Sequence, residues 1–317
     1  MDRAKISSHI MNVQSIKEEI RVAICICTRK RQEALLKLLQ SLNKMEAPER
    51  TDISIIVVEN DTEPISEKLI RNYSLTSRYE TQYFLEPKQG IVNARNRSVA
   101  EASKADFCCF TDDDEEVSPD WLVQLLKCQQ EYDADGVAGP TFPNFTGSVP
   151  GYIRKFHQPK VYPYGTKVNS AFTGCLLMRK KTLDLLDGPF DIRFNFSGGE
   201  DSFMTEILTK KGAIIRYNPE AYASEVIPTD RSTLQYVFRK TIRISNTRLI
   251  IESLKDKNFS PTSQIPRLTL RFFYGLLILL PCLIFCRDDK LNGLIKIVRA
   301  IGGFSFFFGR QSSFYKN

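Results

Sequence analysis

Apolar and polar segments alternate along residues 21–230 in the pattern of a chain that passes repeatedly between strands and helices. Residues 21–27 and 52–58 are short runs of β-branched and other apolar side chains, which is typical of strands buried on both faces. Between them, leucines recur at helical spacing and predict an amphipathic helix over residues 32–43. The order strand, helix, strand predicts a right-handed βαβ unit and therefore a parallel sheet.

The same alternation continues further along the chain and predicts an α/β fold with a mostly parallel sheet flanked by helices. Residues 136–168 are rich in glycine, proline and aromatic side chains and are expected to be loop. Residues 213–217 are expected to form the last strand. Further strands are predicted at residues 82–85, 106–111 and 171–178, and further helices at residues 90–104, from Pro119 onward, and at residues 201–211.

Composition narrows the class of protein. With 42% hydrophobic and 26% charged residues, the chain is an ordinary globular protein and neither disordered nor fibrous. The eight cysteines contain no CxxC pair, which argues against a zinc ribbon or a disulfide framework. The N-terminus lacks the unbroken apolar core of a signal peptide, so we expect a reducing, cytoplasmic setting with buried thiols. The sequence contains two histidines, which makes a histidine-ligated metal site or a Ser-His-Asp triad a poor expectation.

The net charge of +7 is unevenly distributed. Residues 231–317 carry 15 basic and 4 acidic side chains, a net charge of +11, and the preceding residues carry a net charge of −4. A basic excess confined to an amphipathic tail argues against nucleic-acid binding. The expected organisation is an N-terminal extension at residues 1–20, a main α/β domain at residues 21–230, a basic helix or linker at residues 231–260 and an amphipathic helical tail at residues 261–317.

Five consecutive carboxylates, residues 112–116, follow the strand predicted at residues 106–111. In open α/β sheets ligands bind beyond the carboxyl ends of the strands, which places this run at a binding edge. The carboxylates repel one another and need a cation. Mg²⁺ or Mn²⁺, held by one or two carboxylates together with substrate phosphates, is the usual arrangement in phosphate chemistry. A solvated acidic turn at the positive end of the following helix is the alternative.

A second acidic motif, SGGED at residues 197–201, begins a predicted helix. Gly198 and Gly199 permit close approach of the backbone to a ligand, and a carboxylate at a helix start is held by backbone N–H groups. A simple helix cap with a tight turn is the alternative. Taken together, the two acidic motifs indicate a metal–phosphate site with a positioned carboxylate base.

Several motifs occur in a fixed order: TRKR at residues 28–31, VVEND at 57–61, GIVNARNRSVAEA at 90–102, FTDDDE at 110–115, PDW at 119–121 and FDIRFNFSGGED at 190–201. This ordered set resembles the motifs of family 2 glycosyltransferases over residues 21–245. The resemblance implies a GT-A fold, a nucleotide-sugar donor, a divalent metal and inversion at the anomeric carbon.

The resemblance also implies roles for single residues in the acidic motifs. Asp112 and Asp114 fall on the DxD motif as metal ligands, Asp114 being the more direct one, and Asp113 is expected nearer the ribose. Asp201 is the expected general base, and Glu200 is expected to support it or the acceptor.

Four further positions match those that usually surround the nucleotide base and diphosphate in this family. They are Thr28, Arg29, Glu59 and Arg95. The family commonly has aspartate where this chain has the longer Glu59.

Basic residues after residue 228 suggest a further phosphate contact. Arg239 and Arg243 share a helix face by i, i+4 spacing, and Arg231 precedes them. Such a face could bind the diphosphate of the donor or of a lipid-linked acceptor. A solvated basic surface is the alternative.

Residues 272–286 contain no charge, but this run is shorter than the roughly 20 residues needed to span a bilayer. Apolar residues between 291 and 301 recur at helical spacing opposite lysine and arginine, which is typical of an interfacial anchor. A helical hairpin buried in a dimer or against the main domain is the alternative. The lysines favour an anionic membrane surface, because buried oligomer interfaces are depleted of lysine.

The resemblance, together with the amphipathic tail, implies an inverting, metal-dependent glycosyltransferase of hexosyltransferase type, attached peripherally to the cytoplasmic face of the membrane. Its expected donor is a UDP-sugar, and its expected acceptor is a hydroxyl of a lipid-linked oligosaccharide in surface or exopolysaccharide synthesis. A nucleotidyltransferase on sugar phosphates is one rival, although a glycine-rich phosphate loop would then be expected where this chain has CTRKR. A noncatalytic membrane-bound scaffold is the other rival, although it would not require an intact GGED motif.

Overall fold

The computed structural model of the chain describes residues 19–284 and 290–308. The predicted N-terminal extension lies outside this part except for residues 19 and 20, as do residues 285–289 of the predicted tail and its last nine residues. Within the described part there are eleven strands: β1 Ile20–Thr28, β2 Thr51–Glu59, β3 Glu80–Leu85, β4 Phe107–Asp112, β5 Glu115–Val117, β6 Gly136–Ala138, β7 Thr141–Phe145, β8 Thr166–Val168, β9 Leu176–Arg179, β10 Ile215–Tyr217 and β11 Ala223–Ile227.

The same part of the chain contains ten α-helices, and most of them connect strands of the sheet. They are α1 Gln32–Lys44, α2 Glu67–Ser74, α3 Ile91–Glu101, α4 Trp121–Tyr132, α5 Gly151–His157, α6 Lys180–Leu183, α7 Glu200–Lys210, α8 Leu234–Lys255, α9 Gln264–Ile284 and α10 Lys290–Ser305.

Eight strands form one large sheet in the order β3-β2-β1-β4-β9-β6-β10-β8. The first four strands are mutually parallel, β9 is antiparallel to both of its neighbours, and β8 is an antiparallel edge strand. A smaller sheet has the order β5-β11-β7. The predicted α/β class, with a mostly parallel mixed sheet flanked by helices, is confirmed.

Apolar side chains cover both faces of the large sheet. Along β1, Ile24 and Ile26 pack on one face with the buried leucines of α1 and with Trp121 of α4. The alternate residues Ala23 and Cys25 pack on the other face with buried side chains of α3 and α7. This alternation explains why β1 reads as an unbroken apolar run.

Three expectations about secondary structure are wrong. The strand expected at residues 171–178 begins only at Leu176, and Thr173–Cys175 before it form a 3₁₀ turn. Residues 136–168, expected to be loop, contain β6, β7, α5 and β8, because each short strand pairs with a partner distant in sequence. Pairing of this kind leaves little trace in local composition. The strand β10 is not the last one, because β11 follows it and pairs with β5 and β7.

The C-terminal helices form a hairpin that packs on α8. A Cβ on Gly275 of α9 would lie 2.9 Å from the carbonyl oxygen of Gly293 of α10, so only glycine permits this approach. Similarly, a Cβ on Gly302 would lie 2.7 Å from the Cα of Ile242 of α8. The hairpin therefore packs on the basic helix predicted within residues 231–260. No helix within residues 19–284 and 290–308 combines the length and apolar character needed to cross a membrane.

Candidate active site

The carboxyl ends of three parallel strands form one polar edge of the large sheet. The strand register places Thr28 of β1 beside Glu59 of β2, and Cys27 of β1 beside Asp112 of β4. The acidic run begins at this edge, where α/β folds bind their ligands. Residues that are distant in sequence are therefore neighbours here, as the pattern of strands predicts.

Asp113 is 5% exposed and is held against the end of β1. Its carboxylate accepts hydrogen bonds from Oγ1 of Thr28 at 2.8 Å and from Nη1 of Arg31 at 2.9 Å. Burial raises the pKa of Asp113 to about 6, although the Arg31 guanidinium opposes this effect. Arg31 is a site residue to which sequence reasoning gave no role, and its place directly after β1 was the available signal.

Asp114 lies where two arginines from distant segments converge. Its Oδ2 accepts hydrogen bonds from Nη1 of Arg31 at 2.9 Å and from Nη1 of Arg231 at 3.3 Å. Arg231 also donates to Oε1 of Glu225 in β11 at 2.9 Å. Burial raises the pKa of Glu225, and the charge of Asp114 adds to the effect. Sequence reasoning missed Glu225, because only the pairing of β11 with β5 brings it to this edge.

One guanidinium joins the two acidic motifs. Arg95 of α3 is 6% exposed; it donates from Nη1 to Oε1 of Glu200 and from Nη2 to Oδ1 of Asp112 at 2.9 Å. The predicted nucleotide-binding residue Arg95 therefore lies between the DxD motif and the SGGED motif.

The SGGED turn sets the start of α7. Gly198 and Gly199 have φ angles of 74° and 95°, in the left-handed region that strains residues with a Cβ. Gly199 immediately precedes α7, so Glu200 and Asp201 occupy its first turn. The carboxylate of Asp201 accepts a hydrogen bond from the backbone nitrogen of Ser202 at 2.6 Å.

The two carboxylates of this turn differ in accessibility. Glu200 is 2% exposed, whereas Asp201 is partly exposed. Burial raises the pKa of Glu200 to about 7; Arg95 opposes the shift, and Asp201 and Asp112 add to it. Burial also raises the pKa of Asp201, against the charge of Arg95 and with a contribution from Asp112. The charges of Asp112, Glu200 and Asp201 are therefore close enough to act on one another. Of the two carboxylates in the first turn of α7, Asp201 is the more accessible.

The carboxylate of Glu59 is hydrogen-bonded to neighbouring parts of the fold. Its Oε2 accepts hydrogen bonds from the backbone nitrogen of Ser66 at 2.8 Å and from the hydroxyl of Tyr83 at 2.6 Å, and its Oε1 accepts from Oγ of Ser66 at 2.9 Å. The fully buried carboxylate thus ties β3 and the start of α2 to β2. Its expected contact with a nucleotide base stays a prediction. Arg29 lies at the same edge, with Nε 3.7 Å from Oδ2 of Asp61.

Helix α8 brings further cations to this edge. Nη1 of Arg243 lies so close to the SGGED turn that a Cβ on Gly198 would be 3.2 Å from it. Burial lowers the pKa of Lys240, and the charges of Arg243 and Arg231 lower it further. Arg239 is exposed on the same helix. Of the three arginines singled out from the sequence, Arg231 and Arg243 reach the acidic motifs, whereas Arg239 faces solvent.

Within the described ranges, no three histidine, cysteine or acidic side chains converge to form a metal cage. The available donors still suit a metal that is completed by substrate. Asp112 has a carboxylate that is 44% exposed, and Oε2 of Glu200 is buried without a hydrogen-bond partner in the described part of the chain. Mg²⁺ and Mn²⁺ sites that use one or two carboxylates together with phosphate oxygens need no larger protein cage. The residues present fit such an ion.

Comparison with known sequences places these features in a family. Residues 23–187 match the family model described as Glycosyl transferase family 2. The succinoglycan biosynthesis protein ExoM of Rhizobium meliloti (strain 1021) is 31% identical over 239 residues, which is 74% of this chain and 77% of that protein.

Solved structures share the fold at low sequence identity. The mannosyltransferase PcManGT from Pyrobaculum calidifontis, in complex with GDP-Man and Mn²⁺, matches with a TM-score of 0.66 and 12% identity over 93% of this chain and 89% of that chain. S. aureus TarS 1–349 in complex with UDP matches with a TM-score of 0.53 and 14% identity over 92% of each chain. At these identities the likeness concerns the fold alone.

Proposed function

The chain belongs to glycosyl transferase family 2, and we propose that this glycosyltransferase moves a sugar, with inversion, from a UDP-sugar to a hydroxyl of a lipid-linked oligosaccharide. The observation that carries the proposal is the joining of Asp112 to Glu200 through Arg95 at the polar edge of the sheet. The carboxylates of the two acidic motifs are thereby held in one site.

Asp201 is the general base of the proposed reaction. The acceptor hydroxyl must lose its proton as its oxygen attacks the anomeric carbon, and one carboxylate within hydrogen-bond reach suffices. Asp201 is partly exposed and fixed by the backbone nitrogen of Ser202, so it suits that role. Glu200 is buried against Arg95 and supports the geometry of the turn.

The donor diphosphate occupies the edge formed by Asp112, Asp114 and the nearby cations. Asp114 and Asp112 would hold a Mg²⁺ or Mn²⁺ ion, which would neutralise the charge that develops on the leaving nucleoside diphosphate. Thr28 and Arg31 hold Asp113 beside this edge, next to the place that the proposal gives to the ribose. Arg231 and Arg243 add positive charge on the α8 side and suit a phosphate group.

The nature of donor and acceptor draws on relatives. The bound molecules named for two structural neighbours are GDP-Man and UDP, which supports a nucleotide-sugar donor. ExoM is named for succinoglycan biosynthesis, which supports an acceptor in exopolysaccharide assembly. The proposal includes attachment to the cytoplasmic face of a membrane, because a membrane would shield the exposed apolar side chains of α9 from water.

Product analysis tests the reaction class. The full chain is incubated with a UDP-sugar, a divalent metal and a lipid-linked oligosaccharide acceptor, and the released nucleotide is identified. Free UDP with a lengthened acceptor is the expected result. Pyrophosphate release in a parallel incubation with UTP and a sugar phosphate would instead indicate a nucleotidyltransferase, and absence of turnover in both incubations would indicate a noncatalytic scaffold.

A further inference from the structure

A cavity of about 340 Å³ lies between α8, α9 and α10, away from the acidic edge of the sheet. We call it the arginine cavity, because four of its lining residues are arginines. These are Arg248 on α8, Arg267 and Arg271 on α9, and Arg299 on α10, with Glu252 as the lining carboxylate.

The positive charge of this cavity is only partly neutralised. Glu252 engages Arg248 through Oε1 at 3.1 Å and Arg267 through Oε2 at 3.6 Å, which occupies both of its oxygens. Glu206 of α7 also pairs with Nη1 of Arg248. In the described part of the chain, no carboxylate forms an ion pair with Arg271 or Arg299. Burial lowers the pKa of Arg271, and the neighbouring guanidinium groups of Arg267 and Arg299 lower it further. The cavity therefore has the charge and the planar donors that suit a phosphate group.

An exposed apolar surface borders the cavity. Along α9, Leu270, Phe273, Tyr274, Leu277 and Leu280 are each at least half exposed, and we call them the α9 stripe. Arg267 and Arg271 each lie three residues before a member of the stripe, so they flank it on the helix surface. Nζ of Lys296 lies 4.9 Å above the ring of Tyr274. Phosphate-binding cations beside exposed leucine and aromatic side chains match the headgroup and acyl regions of a lipid surface.

We propose that the arginine cavity binds the phosphate group of an anionic phospholipid while the α9 stripe enters the acyl region of the same leaflet. This inference rests on the membrane attachment proposed above and adds a specific headgroup site to it. The site is separate from the catalytic edge, so it orients the enzyme on the membrane without taking part in the reaction.

Vesicle binding by the full chain tests the proposal. Flotation is measured with phosphatidylcholine vesicles that contain phosphatidylglycerol and with vesicles of phosphatidylcholine alone. The double variant Arg271→Gln, Arg299→Gln should bind the anionic vesicles roughly 30-fold more weakly than the unchanged chain. The matched control Lys68→Gln, Arg71→Gln removes two exposed charges from α2 and should change binding less than about twofold. Circular dichroism confirms that each variant is folded, and the single variant Arg299→Gln, expected to lose about fivefold, replaces the double variant if that one is misfolded.

Several outcomes would overturn the proposal. One is that the cavity variants bind vesicles as tightly as the unchanged chain, and another is that the α2 control loses as much binding as they do. A third is that the chain self-associates and buries the α9 stripe against a second copy instead of binding vesicles. Thermal shifts with inorganic phosphate provide a further arm: a cavity-dependent shift without any loss of vesicle binding would mean a site for free anions. UDP release with a soluble acceptor is measured in parallel. Failure of the transfer reaction would leave the vesicle result unaffected, so the two proposals can be tested separately.

Discussion

Arg95 and Glu200 form a buried ion pair that connects the middle of α3 to the first turn of α7. The second terminal nitrogen of Arg95 binds Asp112 at 2.9 Å, so the same side chain reaches the end of β4. The position of the SGGED turn relative to the DxD motif therefore depends on one guanidinium.

Replacing this guanidinium should destabilise the fold. Arg95→Gln leaves Glu200 buried without its charged partner, and removal of one partner from a buried ion pair costs about 3–5 kcal/mol of the free energy of unfolding. Urea unfolding at mildly alkaline pH measures the change. The control Arg97→Gln breaks a partly exposed i, i+4 pair with Glu101 and should cost no more than about 0.5 kcal/mol. Equal losses in both variants would contradict a structural role for the Arg95 pair.

The raised pKa of Glu200 predicts a dependence of stability on pH. The folded state binds this proton more tightly than the unfolded state, because the pKa rises from 4.5 to about 7 on burial. The resulting stabilisation is complete below pH 4.5 and is lost as the pH rises through about 7. We therefore expect the unchanged chain to lose stability relative to Glu200→Gln over this interval, as measured by urea unfolding at several pH values. Parallel stability curves would show that Glu200 is not shifted upward.

Two substitutions in the acidic run, residues 112–116, test whether its carboxylates hold a metal. Asp114→Ala should abolish the metal-dependent part of donor affinity, whereas Glu116→Ala, which removes an exposed carboxylate of the same run, should preserve it. Isothermal titration with UDP, with and without Mn²⁺, measures both affinities. Full transfer activity in a chelator would contradict the assignment of Asp114 and Asp112 as metal ligands.

The hairpin of α9 and α10 should be sensitive to added volume at its closest approach. In Gly275→Val, the new side chain would meet Ile297 and the backbone of Gly293, and overpacking of this kind typically costs about 1–3 kcal/mol. Gly151→Ala is the control, since a Cβ there meets no atom within 4 Å. Chemical unfolding compares the two variants, and a stability for Gly275→Val equal to that of the unchanged chain would argue against the packed hairpin.

The fold was predictable where local pattern and tertiary contacts agree. The buried leucines of α1 and the alternating faces of β1 follow directly from periodicity. The short strands β6, β7 and β8 were not predictable, because three to five residues carry too little pattern and depend on partners far along the chain.

The candidate site was likewise predictable from the sequence only in part. The sequence indicated Asp112, Asp114, Glu200 and Asp201, because they lie at strand and helix ends within motifs that resemble those of family 2 glycosyltransferases. It did not indicate the bridging role of Arg95, which depends on how α3 lies against α7 and β4. Nor did it indicate that the buried Glu59 would be engaged by Ser66 and Tyr83, because that environment arises from the packing of β3 and α2.

Turnover by Asp201→Asn tests the central claim most directly. The substitution removes the proposed base while keeping the size of the side chain, so release of UDP in the presence of acceptor should fall at least about a hundredfold. Donor affinity should stay within about twofold, because the base contributes to acceptor activation and not to donor binding. The control Asp187→Asn, at an exposed aspartate, should turn over normally. Turnover by Asp201→Asn at the rate of this control would contradict the assignment of Asp201 and the site built around it.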